Sequence, residues 1–99
     1  MIEYFARFHA RPGNEAAVEA ALAEVTPQTR REPACLSVAC YRSLRDPSWY
    51  YVHSIWTSEA AFDAHAAEPH TVRFVAAIEA LIDHEWDGAR VERLGLCLE

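Results

Sequence analysis

An α+β fold, with an antiparallel sheet carrying its helices on one face, is what this sequence predicts. Three observations carry that expectation. Ile2 to Ala10 and Trp49 to Trp56 read with strand character, Glu15 to Val25 and Thr71 to Asp83 read with helical periodicity, and a turn at Leu44-Arg45-Asp46-Pro47-Ser48 folds two strands into a hairpin. The resulting order, β-α-β-β-α-α-β, is that of a split β-α-β sandwich. Residues 1–99 are read as one domain, because a chain of 99 residues buries roughly 65% of its extended surface and has no length left for a second core.

The first strand alternates Ile2, Tyr4, Ala6 and Phe8 against Glu3, Phe5, Arg7 and His9, with large side chains on both faces. Pro12-Gly13-Asn14 turns the chain, Asn14 is placed to cap, and Glu15 opens a helix whose apolar set is Val18, Ala21, Leu22 and Val25. Pro27 predicts a kink, since an interior proline costs a helix about 3 kcal/mol; the last turn then runs over residues 30–32 until Pro33 ends it. Leu36 to Ser43 forms the second strand and Trp49 to Trp56 the third, the latter rich in aromatic and β-branched residues. Thr57 or Ser58 caps a short helix with Glu59 in its first turn and Phe62 on its inner face. Pro69 breaks that helix, and Phe74, Ile78, Leu81 and Ile82 carry a third one over 71–83. A last strand, about residues 89–94, ends in an apolar tail of Leu94, Leu96 and Leu98.

With 52% hydrophobic and 24% charged residues the composition is that of a folded domain. Its 9 basic and 15 acidic residues give a net charge of −6, and Arg30-Arg31 is the densest basic run, so the charge needed to bind nucleic acid is missing. No uncharged stretch approaches the ~18 residues of a membrane span, and Glu3, Arg7 and Arg11 interrupt any signal-peptide core, which predicts a soluble, cytoplasmic protein. Cys35 and Cys40, five apart in a predicted strand, are expected on opposite faces and ~17 Å apart, too far for a disulfide or a shared metal. The five histidines show no metal-ligand spacing and the three glycines no phosphate-binding loop, so neither metal nor cofactor is expected, and no Ser-His-Asp or Cys-His arrangement is legible. Phe5, Tyr41 or Cys40, and residues of both parities in Trp49 to Trp56 are apolar, so the sheet face away from the helices needs a cover; a second copy of the chain supplies one, which predicts a homodimer.

The residues His9-Ala10-Arg11-Pro12-Gly13, Pro27, Thr29, Arg30, Glu32-Pro33, Cys35-Leu36-Ser37, Tyr41-Arg42-Ser43, Asp46-Pro47, Trp56, Ala60, His65 and Pro69-His70 together resemble the antibiotic biosynthesis monooxygenase domain family over about residues 4–94. The resemblance implies a ferredoxin-like fold, a dimeric α+β barrel, and a pocket in each subunit between sheet and helices. It also implies oxidation of an electron-rich aromatic (a phenol, anthrone or quinol) by molecular oxygen without a metal or flavin, because the deprotonated ring is itself the reductant. Family members usually carry glycine where this chain has Ala34 and an acidic residue where it has Ser54. The aromatic-oxidising members carry Asn four residues before the Trp and Tyr six after, where this chain has Val52 and Phe62. A haem-degrading branch uses an Asn on the first strand and a Trp on the helices, and neither is present here.

Trp56 and His65 are accordingly the candidate catalytic residues: an indole at a strand-to-helix junction, and an imidazole whose ordinary pKa near 6.5 suits it to take a phenolic proton. The indole N–H needs a partner if buried, and a substrate in the pocket is one source of it. Phe62, Ser54, Val52, His70 and Arg73 are the candidate substrate-binding residues, Arg73 and Arg42 being the cations available to an anionic substrate. His53, of opposite parity to Trp56, is expected on the dimer side. A binding module of the same fold that holds a small apolar ligand without reacting it is the alternative reading. A purely structural dimer with its pocket filled by side chains is the third.

Overall fold

A computed structural model describes residues 1–95. The tail positions Leu96 and Leu98, and Cys97, lie outside the described residues. The elements follow the predicted order: β1 (Ile2–His9), α1 (Glu15–Arg30), β2 (Cys35–Arg42), β3 (Trp49–Trp56), α2 (Glu59–Ala66), α3 (Pro69–Glu79) and β4 (Asp87–Val91). The strands pair antiparallel in the order β2-β3-β1-β4, so β1 and β3 take the centre of the sheet.

The register assigns each side chain to a face. Tyr4, Ala6 and Phe8 of β1 stand opposite Ser54, Val52 and Tyr50 of β3, and this face is the one that α1 and α3 cover. The core gathers Phe8, Ala10, Val18, Leu22, Tyr50, Ile78 and Ile82, with Phe74 and Trp86 packed against it. Each buried Phe, Val, Leu or Ile among them contributes about 1.5–3 kcal/mol of transfer free energy. The opposite face carries Glu3, Phe5, Arg7 and His9, with Tyr51 and His53 beside them, and among the described residues no helix lies over it; Phe5 and Tyr41 remain 49% and 55% exposed.

Local chemistry explains the element ends, including those that depart from expectation. Helix α1 continues through Pro27 to Arg30, and the Arg31 N–H closes it on the Gln28 carbonyl. Asn14 does not cap α1 with its side chain; its Nδ2 instead donates to the Leu81 carbonyl at 3.3 Å, tying the turn to the end of the third helical segment. Ser58 caps α2, its Oγ accepting from the Ala61 N–H at 3.1 Å. Helix α3 begins at Pro69 rather than Thr71, because a proline at the first helical position has no N–H to leave unpaired. It ends at Glu79 rather than Asp83: the Leu81 carbonyl accepts from the Arg11 N–H at 2.9 Å, and Ile82 leaves the helix to form an isolated bridge with Ala10. β4 begins at Asp87, where Asp87 and Gly88 already pair with Arg7 and Ala6.

One irregularity reverses an expected parity. The register shifts between Cys35 and Ser37, so Cys35 stands opposite Trp56 while Cys40 stands opposite Val52. Both cysteines therefore belong to the helix-covered face rather than to opposite faces. Their partners are four residues apart on β3, about 13 Å of strand, and a disulfide stays out of reach. Both are free thiols, and burial pushes Cys35 above the ordinary thiol range.

Candidate functional site

Between the covered face of the sheet and the helices lies a cavity of about 200 Å³. Tyr4, Ala6, Val52, Ser54 and Trp56 line its sheet side; Leu22 and Thr29 of α1, Phe62 and His65 of α2, and Thr71 and Phe74 of α3 line its helix side, with Trp86 at the margin. An apolar cavity of about 150 Å³ accommodates benzene, so there is room here for a single aromatic ring with small substituents.

Trp56 is fully buried and stands edge-on to Phe62, ring centroids 5.6 Å apart. Its indole N–H is not waiting for a ligand. It donates to the Ser54 Oγ at 2.9 Å, two residues back on the same face of β3. The hydroxyl of Ser54 thus serves to satisfy the tryptophan, and both side chains are held rigid at the cavity wall.

His65 occupies the last turn of α2, its ring 4.4 Å from that of Trp56 and 5.6 Å from that of Phe62. Its Nδ1 lies 2.7 Å from Glu32 Oε2, and His70 Nε2 lies 2.7 Å from the same oxygen. A carboxylate only accepts, so each imidazole donates an N–H to Glu32; for His65 this leaves the lone pair on Nε2. The Thr71 hydroxyl, 3.3 Å from His65 Nδ1, completes the group. The side chains of Glu32, His65 and His70 are all partly buried, at 13–14% exposure, where solvent screening is reduced.

Glu32 was not among the candidate site residues read from the sequence, where it falls in the tail of the first helix. It follows the C-cap of α1, its N–H bonded to the Thr29 carbonyl, and the chain turn ahead of β2 carries it beside α2 and α3. Tyr4 was also passed over. Its phenol lines the cavity, its ring lies 4.5 Å from Phe62, and its hydroxyl fills the space above Gly88, where a Cβ would come within 2.0 Å of the oxygen. Burial pushes the Tyr4 hydroxyl above the ordinary phenol range, so it keeps its proton. The alternation of the first strand already placed Tyr4 on the face of Ala6 and Phe8.

The remaining candidates divide. Val52 and Phe62 line the cavity as apolar walls. His70 reaches it only through Glu32 and is not part of its lining. Arg73 is not brought to the cavity: it sits on the exposed side of α3, its Nη2 3.5 Å from Gln28 Oε1. Arg42 pairs with Glu19 at the surface, 2.9 Å away, and holds that carboxyl, with Tyr50, below the usual carboxylate range. His53 lies on the open face, where its Nε2 is 2.7 Å from Glu3.

A Ser-His-Asp chain does exist, contrary to expectation, at the far end of the sheet. His9 Nδ1 is 2.7 Å from Asp83 Oδ2 and His9 Nε2 is 2.8 Å from Ser48 Oγ. Ser48, however, donates its proton to Asp46 Oδ1 at 2.5 Å, so the hydroxyl is an acceptor toward His9 and not an activated nucleophile. The arrangement is a brace: it joins the end of β1, the β2–β3 turn and the segment after α3.

The family model for antibiotic biosynthesis monooxygenases matches residues 1–77. Among solved structures, one described as an antibiotic biosynthesis monooxygenase superposes with a TM-score of 0.90 at 26% identity, covering 95% of this chain and 99% of the other. Rv0793 from Mycobacterium tuberculosis superposes with a TM-score of 0.89 at 26% identity, covering 94% of each chain. A mutant of SnoaB, a cofactor-independent oxygenase from Streptomyces nogalater, shares the fold with a TM-score of 0.86 at 20% identity, covering 99% of this chain and 97% of its own. No curated protein is a significant match. With its ferredoxin-like α+β architecture and a family match over most of its length, the chain belongs to the antibiotic biosynthesis monooxygenase family.

Proposed function

We propose that this chain is a cofactor-independent monooxygenase, acting as a cytoplasmic homodimer on a small single-ring electron-rich aromatic, a phenol or quinol, since the three fused rings of an anthrone exceed the cavity. The observation that carries the reading is the apolar cavity of about 200 Å³ in which the rings of Trp56 and Phe62 meet a histidine backed by a carboxylate. In this reading Trp56, Phe62 and Val52 hold the ring and exclude water, and Ser54 fixes the indole. His65 Nε2 takes the phenolic proton while Glu32, accepting from Nδ1, stabilises the imidazolium that forms. The deprotonated ring then supplies all the electrons: one oxygen atom enters it and the other leaves as water. His70 positions Glu32 and has no contact with the ring. The open sheet face, with Phe5 and Tyr41 half exposed, is the surface for the second copy.

Oxygen consumption on adding hydroquinone or a small substituted phenol to metal-stripped protein tests this. Uptake is expected in the wild type and is expected to fall in His65→Ala and Trp56→Phe. Uptake unchanged in both variants would remove the catalytic assignment. A second reading, a binding module that holds the ring without oxidising it, is favoured by one feature: the indole N–H is already spent on Ser54, and Val52 and Phe62 add no polar group. Saturable binding of the same compounds with no oxygen uptake would select it.

A further inference from the structure

Glu32, His65 and His70 present one ligand atom each, and the three atoms lie within 4.8 Å of one another. We propose that this cluster is a binding site for a divalent transition-metal ion of the zinc and cobalt class. The inference concerns the ion the cluster takes, and it does not depend on the oxidation reaction proposed above.

Two imidazole nitrogens and one carboxylate oxygen are the donor set that suits first-row transition metals; calcium and magnesium call for an all-oxygen shell. The donors come from three separate elements, the segment after α1, the end of α2 and the start of α3, and all converge on one point. At a metal–nitrogen distance of about 2.0–2.1 Å in a tetrahedral site, neighbouring donor atoms sit roughly 3.3 Å apart. Glu32 Oε2 stands 2.7 Å from each ring nitrogen, so it has to withdraw by roughly 0.6 Å, within the reach of a carboxylate rotation. The metal replaces the two N–H protons that now point at the carboxylate, and the three side chains need no new backbone path.

Three protein ligands leave a position open. The Thr71 hydroxyl, 3.3 Å from His65 Nδ1 and on the cavity wall, marks that side for a water or a hydroxyl ligand. The site is partly buried and abuts the apolar wall of Trp56, whose ring lies 4.4 Å from that of His65, so a bound ion is shielded on that flank. By contrast, the second histidine–carboxylate group, His9, Asp83 and His84, has His9 committed to Ser48 as well as Asp83, and its His84 side chain is 55% exposed.

The test uses untagged, chelator-treated protein titrated with Co2+ and followed by visible ligand-field absorption, with Zn2+ titration calorimetry for stoichiometry. One ion per chain is expected. Glu32→Gln and His70→Gln are each expected to weaken it by more than the roughly 10–100-fold that loss of a supporting outer-sphere group costs, while His84→Ala leaves it unchanged. Absence of a ligand-field band overturns the proposal, and so does a band that survives in both cluster variants. Should a variant fail to fold, the NMR spectrum of the unaltered chain decides instead. Co2+ is expected to shift the ring protons of His65 and His70, and shifts confined to His9 and His84 overturn the assignment. Oxygen uptake by metal-free protein is a separate readout, so either idea can fall without the other.

Discussion

The two faces of the sheet treat their ionisable side chains in opposite ways. On the covered face, burial drives Tyr4 and Tyr50 toward the neutral form, Tyr50 being pushed up to about 12 by burial and by its hydrogen bond to Glu19. On the open face Glu3 is just as hidden, at 4% exposure, yet it is held below the usual carboxylate range by hydrogen bonds from Arg93 and His53. Burial alone would have raised it. What decides the charge of a hidden group here is the company it keeps: Tyr50 donates to a carboxylate, that of Glu19, whereas Glu3 accepts from a guanidinium and an imidazole. A cavity suited to an uncharged aromatic and a surface patterned with fixed charge follow from the same sheet.

The largest expected effect is on the covered face. His65→Ala is expected to lower oxygen uptake by a factor of about 10²–10⁴, the usual worth of a general base. Ser54→Ala leaves the buried indole N–H without its acceptor and is expected to cost about 1–3 kcal/mol in denaturant unfolding. On the open face, Phe5→Asp is expected to leave the fold intact and to halve the mass seen by light scattering; an unchanged mass removes that face as the dimer surface.

Acid sensitivity separates the faces further. Because the folded carboxyl of Glu3 titrates below its unfolded value near 4.3, its contribution to stability is complete above that value and is lost as pH falls through the depressed one. Glu3→Gln is therefore expected to lower the melting temperature near neutrality and to flatten the acid limb, the two profiles converging as pH falls through the depressed value. The smallest effect belongs to Tyr4→Phe. A hydroxyl whose pKa is raised on folding stabilises fully below about 10 and less as pH climbs past it, so only the alkaline limb should change.

The sheet, the hairpin and the helix order were legible because alternation and 3.6-residue spacing report which side of an element faces the core. Trp56, Phe62, Ser54 and Val52 were found at the cavity for the same reason. What alternation cannot see is a change of phase or a contact across the chain. The register shift between Cys35 and Ser37 carried both cysteines to one face, and the bridge of Ile82 to Ala10 ended α3 early although Leu81 and Ile82 keep helical spacing. Arg73 went the other way: its charge suggested a ligand, but its place on α3 points it at Gln28. Glu32 escaped because its partners are 33 and 38 residues away, beyond anything local periodicity reports.

The break between α2 and α3 has a consequence for how His65 and His70 relate. In one unbroken helix two side chains five positions apart would project about 140° from each other and could not share a single oxygen atom. Ala67 and Glu68, with Pro69 starting a fresh helix, act as an elbow that folds the two rings back onto the same acceptor. A chain that straightened this elbow would keep every one of its residues and still disperse the cluster, so the two-residue corner, more than either histidine alone, is what makes the pair a pair.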